Sequence, residues 1–92
     1  MTLAASRALV EKVLAGEITP ENDPASFDDD VVHFAICELE DGDAEWLLAA
    51  VRDRRRPLAG RRNVVTSMGR FQAALWAELR AEDPTLPPYP FA

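Results

Sequence analysis

The sequence has one cysteine, Cys37, and one histidine, His33. A single cysteine excludes an internal disulfide and fits a reducing compartment. One Cys and one His together cannot build a zinc site of the usual spacing within one chain. No long apolar run is present either: Arg7, Glu11 and Lys12 interrupt the opening stretch MTLAASRALVEKVLAGE, which also lacks a basic n-region. Neither a signal peptide nor a membrane span is therefore expected, and a soluble, cytoplasmic protein follows. A Ser–His or Cys–His nucleophile would rest on His33 and Cys37, four residues apart and so neighbours on a helix. Nothing in the sequence supplies an orienting third group or an oxyanion site, so no catalytic residue, metal or cofactor is assigned. The acidic string ELEDGDAE (Glu38 to Glu45) does not make a calcium loop. Setting Gly42 at the sixth position of an EF-hand puts Cys37 first and Leu39 third, where oxygen ligands are needed.

What remains is enough to fold. Hydrophobic residues make up 48% of 92 residues, with two Trp and four Phe, which suits one small domain with a narrow stability margin. The charge is unevenly spread. Residues 1–51 hold twelve acids and two bases, a net of −10, and residues 52–92 hold eight bases and four acids, a net of +4. Six of the ten basic residues fall within RDRRRPLAGRR, Arg52 to Arg62.

Helical spacing and capping residues predict an all-α fold, a small irregular four-helix bundle over residues 1–83 followed by an extended proline-rich tail, 84–92. The helices are expected near 2–15, 28–41, 43–56 and 63–82. Thr2 and Gly16 bound the first. Asp28 is read as the cap of the second, with Phe27 and Val32 as a hydrophobic staple and Val32, Ala35, Ile36 and Leu39 as its buried stripe. A strand over 31–39 is the alternative. The third helix opens apolar all round from Trp46 to Val51, which suggests a central position, and Pro57 stops it. The stripe Val64, Met68, Phe71, Leu75 and Leu79, with Trp76 at its edge, reads as one long final helix after a Leu58-Ala59-Gly60 loop.

Arg52, Arg54, Arg55 and Arg56 then lie at a helix C-terminus, where cations oppose the dipole. Arg61 and Arg62 precede a helix start, where positive charge is disfavoured, so an anion is expected beside them. The candidates are the acids of the same chain (Asp28-Asp29-Asp30 or Glu38-Glu40-Asp41), those of a second copy or another protein, and a phosphate. The excess of acid in the first half favours protein acids over a polyanion. In the tail, Tyr89 and Phe91 either cover the domain's own helices or lie in a partner's groove.

The sequence thus points to a non-catalytic protein–protein interaction module, a regulator, adaptor or accessory subunit, with Arg54, Arg55, Arg56, Arg61, Arg62, Tyr89 and Phe91 as partner-binding residues. A homodimer joining arginines to acids is one version. A nucleic-acid binder using Arg52 to Arg62 is the runner-up, weakened because no aromatic residue interleaves with the cluster. A small-molecule binder or enzyme with Trp46, Trp76, His33 and Cys37 around the helix interior is the third class.

Overall fold

Thr2 opens the first helix, its side chain accepting from the Ala5 amide at 3.1 Å. This helix, α1 (Leu3–Leu14), buries Val10, Val13 and Leu14 and ends where Gly16 takes φ 81. The computed structural model describes residues 2–91, which are all-helical, with six helices and no strand among them. An expected connector and one expected helix are divided, which is how four helices become six.

The first division lies in the connector. Asp23 accepts from the Ser26 amide and hydroxyl at 3.4 and 2.7 Å, and Pro24 fits the first turn, so a short helix α2 (Pro24–Asp28) forms. Asp28 therefore sits inside α2 and does not cap the next helix. That place belongs to Asp30, in the left-handed region at φ 60 and with no side-chain capping bond. The helix α3 (Val31–Gly42) follows, in place of the alternative strand, and buries the expected Val32, Ala35, Ile36 and Leu39.

Next, α4 (Ala44–Arg52) buries Leu47, Ala50 and Val51 but leaves Ala49 exposed and Trp46 half-buried beneath the Arg7 guanidinium, 4.6 Å from the ring centroid. So α4 has an outer face, contrary to the all-round apolar reading. It stops at Arg52, four residues before the expected end, because the Asp53 carboxylate accepts from the Arg55 amide at 3.1 Å and turns the chain.

The expected loop Leu58-Ala59-Gly60 is instead the first turn of α5 (Leu58–Thr66). Here glycine is required by packing. A Cβ at position 60 would run into the Leu14 carbonyl oxygen, with the carbonyl carbon 2.7 Å away. This close approach is what seats α5 on α1. Gly60→Ala is expected to destabilise the fold by about 2 kcal/mol despite the better helix propensity of alanine, since backbone must move to admit the methyl. A chemical-denaturation midpoint unchanged from the parent would show that α1 and α5 do not meet this closely.

The second division breaks the predicted 63–82 helix into α5 and α6 (Gln72–Glu82). Three side chains satisfy the exposed ends. Glu40 accepts from the amides of Gly69, Arg70 and Phe71 at 2.8, 2.6 and 3.1 Å. Gln72 donates to the carbonyls of Val65 and Thr66 at 3.2 and 3.0 Å, and His33 Nδ1 lies 2.7 Å from the Ser67 carbonyl. The break thus leaves few unmet polar groups.

One core joins the helices: Val10 and Leu14 of α1, Ile36 and Leu39 of α3, Leu47 of α4, Val64 and Val65 of α5, and Leu75, Trp76 and Leu79 of α6. Beyond α6 the chain runs back along it. Leu86 is buried, Trp76 Nε1 donates to the Pro87 carbonyl at 3.0 Å, and Tyr89 donates to Gln72 Oε1 at 2.8 Å. No helix among the described residues is long and apolar enough to cross a membrane.

Candidate functional site

Most of the arginine segment is held by carboxylates of its own chain. Arg52 forks onto Glu78 at 2.9 and 3.0 Å, Arg55 onto Asp53 at 2.9 and 3.1 Å, and Arg56 onto Glu11 at 2.7 and 3.1 Å. Arg61 forks onto Glu82 at 2.7 and 2.9 Å, and it is buried. An internal anion does stand beside Arg61, but it is Glu82 of the second half, and Glu78 and Asp53 belong to that half as well. Within this segment the expected answer from first-half acids is met for Arg56 alone, through Glu11. Of the two acidic strings named from sequence, Asp41 alone forms a described ion pair to an arginine, Arg70 at 3.0 Å.

The placement of Arg61 and Arg62 also differs from expectation. They stand inside α5, not ahead of a helix start, and successive positions there point about 100° apart. Arg61 turns inward and Arg62 outward. Arg54 is largely exposed, reaching Glu82 only at 3.8 Å. Arg62 makes no ion pair among the described residues. Its guanidinium lies 5.9 Å from the Trp76 ring centroid, and its charge helps hold the Asp83 carboxyl low, after the hydrogen bonds from Thr85.

Trp76 also draws in the tail aromatics: Phe91 meets it edge-on at 6.3 Å and Tyr89 meets Phe91 at 5.5 Å. Two residues named from sequence, Arg62 and Phe91, thereby meet one indole, and Tyr89 joins them through Phe91. Arg62 further lines a groove of about 560 Å³ with Thr19, Glu21, Leu58, Asp83 and Leu86. Arg54, Arg55 and Arg56 belong to the α4–α5 turn and line other clefts.

The ion pairs set a pH dependence. The hydrogen bonds from Arg61 hold the Glu82 carboxyl below its ordinary value of 4.5, and those from Arg56 do the same for Glu11. A lowered folded pKa means that the stabilisation is complete above pH 4.5 and is lost as the pH falls through the folded value. The thermal midpoint of the parent is expected to drop below that pH, and Glu82→Gln is expected to lower the neutral-pH midpoint and flatten the drop. Parallel acid profiles for the two would remove Glu82 as a source.

His33 and Cys37 do meet on α3, with the sulfur 3.5 Å from Nε2 and 3.9 Å from Nδ1. The 2.7 Å contact of Nδ1 with the Ser67 carbonyl commits that nitrogen as a donor, which leaves Nε2 as the acceptor facing the sulfur. Burial pushes the Cys37 thiol up, and the Glu40 and Asp41 carboxylates push it further. These surroundings disfavour a thiolate at Cys37. Among the described residues no group of three or more His, Cys, Asp or Glu is placed to hold a metal ion.

The residue missed from sequence is Phe34, 63% exposed beside Val31 on the outer side of α3. The signal was present: once Val32, Ala35, Ile36 and Leu39 form the buried stripe, helical phase turns positions 31 and 34 outward. Comparison of the chain with protein families, curated proteins and solved structures finds no match.

Proposed function

We propose that this protein is a non-catalytic protein-binding module. The observation that carries the reading is the Arg62–Trp76–Phe91 surface. The exposed Arg62, with no ion pair among the described residues, lines the groove with its guanidinium 5.9 Å from the Trp76 ring centroid, and Phe91, 44% exposed, meets the same indole edge-on. Trp76 itself is buried, so it is the platform on which Arg62 and Phe91 stand, and arginine and aromatic side chains are among those that dominate binding energy at protein interfaces. The partner surface comprises Arg62, Tyr89 and Phe91, with the largely exposed Arg54 as an outlying cation. It suits an acidic segment of another protein carrying an apolar side chain. The internal pairing of Arg52, Arg55, Arg56 and Arg61 leaves few cations for the acids of a second copy or for a phosphate backbone. That pairing supports a different protein as partner over a homodimer or a nucleic acid.

The test is a heteronuclear NMR titration at physiological salt, using a synthetic Glu- and Leu-containing peptide, a short duplex and a single-stranded oligonucleotide as separate probes. The peptide is expected to shift the Trp76 indole and the Phe91 ring, and Arg62→Glu is expected to abolish the shifts. Larger shifts with either oligonucleotide would move the reading to nucleic acid, and no shift with any probe would end it for this surface.

A further inference from the structure

A second surface, of opposite sign, stands at the α2–α3 corner. Asp28, Asp29 and Asp30 are all exposed, and their side chains make no hydrogen bond or ion pair among the described residues. They lead directly into Val31 and Phe34, three apart and so adjacent on one helix face, 38% and 63% exposed. Phe34 is the most exposed large apolar residue described.

Asp30 sharpens the point. It holds a left-handed conformation that glycine adopts at less cost, and its carboxylate does not cap the helix it precedes. The dipole at the start of α3 favours an acid here, but the carboxylate makes no hydrogen bond to the helix and stays open to solvent.

The charge inventory says what would cover the corner. Between Lys12 and Arg52 the sequence holds eleven acids and no lysine or arginine. Arg56, Arg70 and Arg7 pair with Glu11, Asp41 and Asp43, not with the aspartate triad. Each copy carries a net charge of −6, so like copies repel, and an anionic membrane would be repelled as well. A small cation would have no use for the phenyl ring.

We propose that the Asp28–Phe34 corner docks a lysine- or arginine-rich amphipathic segment of another protein. An apolar side chain of that segment rests on Phe34 and Val31, and its cations face Asp28, Asp29 and Asp30. This surface does not depend on the one around Arg62. Apolar anchors ringed by complementary charge give both affinity and fast, salt-sensitive association.

Fluorescence anisotropy with a labelled synthetic Lys–Leu amphipathic peptide tests it, with the Glu-for-Lys version as control. The parent is expected to bind the basic peptide and not the acidic one. Phe34→Ala is expected to weaken binding roughly tenfold. The triple change Asp28→Asn, Asp29→Asn, Asp30→Asn should cost as much and flatten the salt dependence, whereas the charge-matched Glu17→Gln, Asp41→Asn, Glu45→Gln should stay within about twofold of the parent. Asp30→Gly should raise the thermal midpoint by relieving the turn while still weakening binding, which separates docking from folding. Equal losses from the two triple variants would reduce the effect to net charge and overturn the proposal. So would full affinity in Phe34→Ala. A dimer of the chain alone that Phe34→Ala dissolves would put a second copy on this face and overturn it too.

Discussion

Arg61→Met is expected to cost the fold about 3–5 kcal/mol, the usual range when one partner of a buried ion pair is removed. The guanidinium is 3% exposed and serves three structures at once. It forks onto Glu82 at the end of α6, donates to the Val51 carbonyl in α4 at 3.4 Å, and donates to the Arg56 carbonyl in the linker at 3.2 Å. Methionine fills much of the volume but leaves both carbonyls unmet and Glu82 without its main counter-charge, with Arg54 standing off at 3.8 Å. A domain of this size has a total stability of about 5–15 kcal/mol, so the loss is a large part of it. The thermal midpoint should fall by roughly 15 °C or more. Adding Glu82→Leu removes the orphaned charge and should restore part of the loss. It should not restore all of it, because the Val51 and Arg56 carbonyls remain unanswered. A single-variant cost under about 1 kcal/mol would show that Arg61 behaves as an ordinary surface arginine.

Arg61 also marks the limit of what the sequence discloses. Its charge and its place in an arginine run are plain, yet burial depends on α5 beginning at Leu58, and that depends on Gly60 fitting against Leu14 some 46 residues away. Helical periodicity within α1, α3 and α6 was legible because each carries its own apolar stripe. The break between α5 and α6 was not. Val64, Met68, Phe71, Leu75 and Leu79 keep helical phase straight through residues 67–71, so nothing in the spacing signals an interruption. Ion-pair partners were equally hidden: local composition suggested Asp28 to Asp30 for the arginines, and tertiary placement assigned Glu11, Glu78 and Glu82 instead. For the candidate site, Arg62, Tyr89 and Phe91 could be named from sequence, but the contact of Arg62 and Phe91 with one indole could not, because Trp76 was read as the edge of a stripe or as part of an interior small-molecule site.

The α5–α6 break leads to the second large effect, at a residue that sequence reading treated as one acid in a string. Glu40 is buried, 3% exposed, and its carboxylate takes three consecutive amides at the approach to α6. It does from α3 what an N-cap residue does locally, since Phe71, in the capping position, offers no side-chain acceptor. Glu40→Ala is expected to destabilise the protein by about 3 kcal/mol. Hydrogen bonds to a charged group contribute about 1.5–3 kcal/mol each, but the sum is discounted because Gly69 and Arg70 are exposed and their amides regain water. Glu40→Gln should cost about half as much, since its one carbonyl can still receive Arg70 and Phe71 while its NH₂ opposes the Gly69 amide. Hydrogen exchange should separate this from a general loss of packing, with protection at Gly69, Arg70 and Phe71 falling further than protection in α1. If those three amides exchange no faster in Glu40→Ala once global stability is matched by denaturant, then Glu40 does not hold α6 in place, and another contact must account for where that helix begins.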